Sequence, residues 1–269
     1  ASRGLGDVYK RQEFMSGNSM AFLPMGSVVY QQYISDTPTT IVSNLKDDGY
    51  TCIAMHPYYE TGWSRNLVYP HIGFDEMHFI DYFDQTKILR EYITDQELYD
   101  KIIKRYENRK NNEKLFFMGI TMQNHGGYTE TYDNFPENYY KVGRSYTDAN
   151  QYLSLVHESD EAVKNLISYF SKVDDPVEII FFGDHQPSLN SNFYPILNGK
   201  GLTGLTEDEL EKLYTVPFFI WTNYDTPEET VDITSLDYLS TMALERAGIE
   251  LPAYNKLSLI HISEPTRRS

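Results

Sequence analysis

The chain has 269 residues, a formal net charge of −16 and an isoelectric point near 4.8, which is enough length for one large α/β domain or two small ones. That charge argues against a nucleic-acid surface, because neutralising phosphates takes clustered Lys and Arg, and an anionic partner therefore needs a local exception such as a metal. No apolar run approaches the roughly 18 residues of a membrane span, no stretch reads as a signal peptide, and the lone cysteine, Cys52, excludes an internal disulfide without fixing a compartment.

In chain order, residues 1–12, ASRGLGDVYKRQ, form a basic flank, matched at the other end by residues 258–269, SLIHISEPTRRS. Both resemble read-through of a cloning or sequencing adapter and are set aside from fold reasoning, with ordinary disordered termini as the alternative. Residues 38–48 then predict a short helix closed by Gly49, and YTCIAM at 50–55 a strand. Thr94 and Glu97 form a capping box ahead of Leu98, Ile102, Ile103 and Tyr106, an apolar stripe along one helix face. LFFMGIT at 115–121 lacks alternation, as a parallel strand covered on both faces does. A long helix over about 147–172 leads to the strand VEIIFF at 177–182, Thr206 and Glu209 cap another helix, VPFFIWT at 216–222 reads as a further buried strand, and SLDYLSTMALERAG as a closing helix. No repeat or linker divides the chain. The alternation predicts one α/β domain with an open, mostly parallel sheet between helix layers.

Such sheets bind ligands at the carboxyl ends of their strands. His56, His125 and His185 each follow a different predicted strand at that end. Asp184 beside His185 offers an oxygen and a nitrogen of the kind that zinc or manganese accepts, yet a catalytic ion takes at least three protein ligands. The bland alternative for this pair is an Asp–His hydrogen bond in a turn after Gly183. Arg65 suits bidentate binding of phosphate or sulfate oxygens and Trp63 a sugar or glycerol face, against an ordinary surface loop. Asn124 and His125 precede Gly126 and Gly127, which allow close backbone approach to a ligand or make a plain glycine turn. His71, His78 and His157 hold no comparable position.

Four ordered segments, EFMSGNSMAFLPMGSVVYQQYI, IAMHPYYETGWSRNLVYPHIGFDEMHFID, MGITMQNHGGY and IIFFGDHQPSL, resemble the lipoteichoic acid synthase-like branch of the sulfatase and alkaline phosphatase superfamily over residues 13–257. The resemblance implies an alkaline phosphatase-like three-layer α/β/α sandwich. It implies a membrane-anchored enzyme, its catalytic domain outside the cell, that transfers or hydrolyses phosphoglycerol through a threonine nucleophile. One divalent ion, manganese before magnesium or zinc, is held in that family by a Glu, the Thr and an adjacent Asp–His pair. By resemblance Asp184 and His185 are that pair, His56, Trp63, Arg65 and His125 contact the anionic head group of a glycerophospholipid or polyglycerophosphate substrate, and His125 protonates the leaving alkoxide or assists the second displacement. The family's Thr lies a few residues before the position of Glu13, but residues 3–15 contain no Ser, Thr or Cys. The expectation is therefore a carboxyl-terminal part of a catalytic domain, lacking amino-terminal strands, nucleophile and membrane helices, soluble and inactive alone, with exposed strand edges or an open core. Rival readings are a sulfuric ester or phosphate ester hydrolase of the same superfamily, a non-catalytic module that binds an anionic glycan, and a purely structural domain.

Overall fold

The computed structural model describes residues 6–20, 23–24, 39–135, 142 and 146–257. Helix α1 (Gly6–Ser16) comes first, and α2 (Ile41–Asp47) starts where the Thr40 hydroxyl accepts from the Ser43 N–H. β1 (Tyr50–Met55), α3 (Arg65–Ile72) and β2 (Glu76–His78) follow, then a small hairpin of β3 (Ile88–Leu89) and β4 (Tyr92–Ile93). Thr94 caps α4 (Asp95–Glu107), which leads to β5 (Lys114–Gly119), α5 (Thr147–Phe170) and β6 (Glu178–Phe182). Two short helices, α6 (Tyr194–Asn198) and α7 (Glu207–Lys212), precede β7 (Phe218–Thr222) and α8 (Leu236–Arg246). The predicted helices and strands are present with ends moved by up to three residues, as end fraying allows.

β1 lies between β2 and β5, parallel to both, with Tyr50 opposite Lys114 and Met55 opposite Gly119. Its side chains alternate between two cores. Cys52 and Ala54 join Val42, Leu45, Val68, Ile72 and Leu239, while Ile53 and Met55 join Leu98, Ile102, Val163 and Leu166. Helices α1, α2, α3 and α8 therefore cover one face, and α4 and α5 the other, which is the three-layer arrangement.

Two findings depart from the sequence reading. β7 is antiparallel to β6, with Phe182 opposite Phe218. Residues 183–217, with α6 and α7, are long enough for either return, but they bring the chain back beside the end of β6, where the Gly183 N–H donates to the Pro217 carbonyl, so β7 starts where β6 stops. Residues 6–12 of the amino-terminal flank are also part of the fold. They continue without a break into residues 13–16 as α1, which packs on α8, and Phe14 meets Phe182 with ring centroids 5.0 Å apart.

Leu98, fully buried between α4 and the sheet, anchors one helix layer, whereas Leu67 on α3 is exposed. Leu98→Ala is expected to lower unfolding free energy by about 3 kcal/mol, and Leu67→Ala by less than about 0.5 kcal/mol. Urea denaturation of both variants reads the difference, and equal losses would show that α4 is not seated as described.

Candidate active site

The shared register of β1 and β5 brings the residues after each strand face to face. The His56 N–H donates to the His78 carbonyl at 2.9 Å, and His56 Nδ1 lies 2.9 Å from the Ile120 carbonyl oxygen. A carbonyl only accepts, so Nδ1 carries the proton and Nε2 keeps its lone pair. His56 is 2% exposed. Burial, reinforced by the Arg65 charge, pushes its pKa down to about 3, so the ring is neutral at physiological pH.

The loop after His56 positions Arg65. Trp63 and Ser64 both sit at φ 55°, a left-handed conformation that costs a non-glycine residue roughly 1–2 kcal/mol. Strain of this kind gathers at functional sites. Arg65 Nη1 donates to the Gly62 carbonyl at 3.0 Å, and a Cβ on Gly62 would stand 2.9 Å from that same nitrogen, so the glycine makes room for the guanidinium. Arg65 is buried and hydrogen-bonded to Tyr69 one turn along α3. Trp63 is half-buried beside it.

His125 is exposed at the end of β5's loop, with Nδ1 3.2 Å from the Tyr92 hydroxyl. Arg90 fixes this loop from below. Its Nη2 donates to the carbonyls of Gln123 and His125 at 2.9 and 2.7 Å, and its Nη1 to Gly127 and Gln151 oxygens at 3.0 and 3.1 Å. The rings of Tyr92, Tyr128 and Tyr132 surround the guanidinium at 5.5–6.0 Å, a cation–π cage for a buried charge. Neighbouring Asn124 donates to Ser159, which donates to the buried Asp95, whose carboxyl pKa burial pushes up to about 6. None of Arg90, Tyr92, Asp95 or Ser159 is singled out by sequence. An acid in the first turn of a helix, such as Asp95, reads there as ordinary dipole complementation, and no local pattern marks the rest.

Asp184 and His185 follow β6. Gly183 does not adopt a left-handed turn there; a Cβ at this position would lie 3.0 Å from Val216 Cβ, so the glycine permits close packing of the β7 approach rather than a sharp turn. Asp184 Oδ2 pairs with Arg11 Nη1 at 3.2 Å. His185 Nδ1 donates to the Gln186 carbonyl at 2.8 Å, which leaves Nε2 with the lone pair a metal ion takes. These are two donors of the right chemistry. Among the described residues no group of three His, Cys, Asp or Glu is placed to hold a metal, and Arg11 supplies positive charge to the same carboxylate, so the described donors match part of a metal site only.

His56, Trp63, Arg65, His125, Asp184 and His185 all line one cavity of about 1600 Å³. His71 and His78 stand apart, His71 on the surface and His78 stacked on Tyr82 at 3.9 Å. The six residues that the sequence reading named thus line one cavity, and residues 10–249 match the sulfatase family model. The chain belongs to the sulfatase family. A Rhizobium meliloti protein named for cyclic beta-1,2-glucan modification is 29% identical over 250 residues, covering 90% of this chain and 38% of that protein. Lipoteichoic acid synthase of Staphylococcus saprophyticus is 30% identical over 180 residues, covering 64% of this chain and 27% of the synthase. This sulfatase-family chain therefore spans well under half the length of these relatives. Its fold is shared with the Streptococcus pyogenes phosphoglycerol transferase GacH, solved with sn-glycerol-1-phosphate, at a TM-score of 0.76 and 20% identity over 97% of this chain and 68% of GacH. It is shared also with the Listeria monocytogenes lipoteichoic acid synthase LtaP, at 0.74 and 19% over 93% of this chain and 61% of LtaP.

The His56 pKa has a consequence for stability. The unfolded state, with a pKa of 6.5, binds a proton that the folded state refuses until about pH 3, so acidification below 6.5 favours unfolding. His56→Asn removes this proton while keeping a donor toward Ile120. Between pH 7 and pH 4 the parent chain is expected to lose about 3 kcal/mol more than the variant; contributions from Asp95 and other carboxyls are common to both and cancel. Equal acid sensitivity in denaturant titrations would contradict the buried, neutral assignment.

Proposed function

We propose that this chain carries the substrate-binding half of a sulfatase-family enzyme that transfers or hydrolyses phosphoglycerol. The observation that supports this reading most is Arg65, a buried guanidinium at the carboxyl ends of parallel strands, facing a cavity it shares with a neutral imidazole and a half-buried indole. A fixed, dehydrated guanidinium matches phosphate oxygens and binds them more strongly than a surface lysine would. His56 offers a lone pair at Nε2 and no charge, so it accepts from a hydroxyl, as on the glycerol side of a phosphoglycerol, while Arg65 meets the anion. Trp63 gives the carbon face of the glycerol an apolar wall.

His125, exposed at the mouth and oriented by the Tyr92 hydroxyl, is the group placed to give a proton to a leaving alkoxide. When that hydroxyl donates to Nδ1, the His125 proton resides on Nε2, facing outward. Asp184 and His185 would hold one side of a divalent ion, manganese before magnesium or zinc, which supplies nucleophile activation and charge neutralisation in chemistry of this kind. The remaining ligands and a threonine nucleophile come, on this reading, from polypeptide outside residues 1–269. Arg11 stands in for that positive charge against Asp184 in the present chain. The parent enzyme on this reading is membrane-anchored with its catalytic domain extracellular; no helix among the described residues is long and apolar enough to cross a membrane.

Two outcomes follow from separating binding from chemistry. Calorimetric titration with sn-glycerol-1-phosphate is expected to show saturable binding, weakened at least tenfold by Arg65→Gln, since a charge-assisted hydrogen bond contributes about 1.5–3 kcal/mol. His125→Ala is expected to change affinity by less than about threefold, because its role lies in proton transfer. Phosphodiester turnover by the chain, with or without added manganese, is expected to be absent. Binding that ignores Arg65, or robust metal-dependent turnover, would overturn the proposal.

A further inference from the structure

An acidic residue in the first turn of a helix ordinarily lies in solvent and complements the helix dipole. Asp95 holds that place at the start of α4 but is only 3% exposed, and its Oδ1 has no hydrogen-bond partner among the described residues. Burial pushes the carboxyl up to about 6 against the opposing hydrogen bonding, and no cation contributes to holding its charge. Asp95 therefore changes charge close to neutrality, inside the fold and beside the loop that carries His125.

The carboxylate sets the direction of every bond around it. It can only accept, so the Ser159 hydroxyl donates to Asp95 Oδ2, at 2.5 Å, the length of a charge-assisted bond. With its one proton committed there, Ser159 Oγ must accept from the amides of the loop, Asn124 Nδ2 at 2.9 Å and Gln123 Nε2 at 3.4 Å. Gln123 Oε1 accepts in turn from the Asp95 N–H at 3.1 Å, which closes the ring. A neutral carboxyl cannot keep this pattern. A proton on Oδ2 would point at Ser159, whose own proton would need another acceptor, and the Asn124 amide would have to turn over to supply one. A proton on Oδ1 would leave the Ser159 bond in place but neutral, roughly half as strong. Either way the hold on Asn124 weakens. The other ionisable groups nearby are Tyr99 on α4, whose hydroxyl pKa burial raises, Asp160 beside Ser159 on α5, and His125 and Arg90, of which Arg90 is bonded to the loop carbonyls.

We propose that Asp95 is a positioning residue for His125 and works as a latch: as a carboxylate it pins Asn124 through Ser159 and fixes the loop, and as a neutral acid it releases that side of the loop. Since the carboxyl titrates at about 6, the latch is closed at pH 8 and open at pH 5. Arg90 grips the loop carbonyls in both states, so opening loosens the Asn124 side without unfolding the loop. His125 follows Asn124 directly in the chain, and its ring is therefore held in one orientation only while Asp95 is ionised. The value of this for proton transfer rests on the role proposed for His125. The latch itself rests on the hydrogen bonds of Asp95, Ser159 and Asn124, and would stand even if the phosphoglycerol reading failed.

NMR of residues 1–269 between pH 8 and pH 5 reads the latch with no ligand present, so a failure of phosphoglycerol binding leaves this test untouched. The Asn124 side-chain amide is expected to shift with a midpoint near pH 6. The His125 amide, which donates to the Met122 carbonyl, is expected to lose about fivefold in exchange protection from pH 8 to pH 5, after correction for intrinsic exchange. His125→Gln removes the titration of the neighbouring imidazole and is expected to keep the Asn124 midpoint. Asp95→Asn is expected to abolish the midpoint and to give the low-pH protection at every pH. Ser159→Ala is expected to abolish it also while the Asp95 carboxyl carbon still titrates, which keeps the test decisive if Asp95→Asn does not fold. An Asn124 signal without a midpoint, one that survives Asp95→Asn or Ser159→Ala, or one that vanishes in His125→Gln would overturn the proposal.

Discussion

The hydrogen bond from His56 Nδ1 to the Ile120 carbonyl joins two parallel strands at the end that carries the candidate site. β1 and β5 are already aligned by their ladder, and this side-chain bond extends the alignment one residue past the sheet. Its effects are electrostatic as well as geometric. It fixes the tautomer, it holds the ring away from water, and beside Arg65 it keeps the ring uncharged. Beside the Arg65 cation the cavity therefore holds an uncharged imidazole that offers a lone pair.

The second support is polar and buried. Arg90 gathers four oxygens from the loop that carries His125 and from α5, and Asp95, Ser159 and Asn124 brace the same loop from the helix layer. Most of the buried polar atoms here have partners, Arg90 Nε and Asp95 Oδ1 being the exceptions, and such pairing offsets the cost of burial. A loop held in this way has few alternative conformations, which suits the proton-transfer role proposed for His125. Strain at Trp63 and Ser64 does the corresponding work on the other side of the cavity.

Sequence carried the scaffold and the first line of the site. Unbroken apolar runs at 50–55 and 115–121 disclosed strands covered on both faces, and the position of His56, His125 and His185 just beyond predicted strands led to one cavity. The antiparallel return of β7 was not legible, because a buried strand reads the same in either direction and residues 183–217 are long enough for a return of either sense. Arg90 and Asp95 were not legible either: each acts through partners thirty to sixty residues away, and a single chain carries no local trace of such pairings. The amino-terminal flank is a different case, since its composition set it apart while α1 places residues 10–12 in contact with the body of the fold.

Membership of the sulfatase family, the fold shared with GacH and a cavity lined by Arg65 are mutually consistent. They place the weight of the account on a neutral His56 that works with a charged Arg65. Nitrogen-15 NMR of the histidine rings measures this directly. The account predicts a His56 signal with Nδ1 protonated and Nε2 unprotonated, unchanged from pH 8 to pH 5. A ring protonated at Nε2, or one that titrates near pH 6.5, would contradict it.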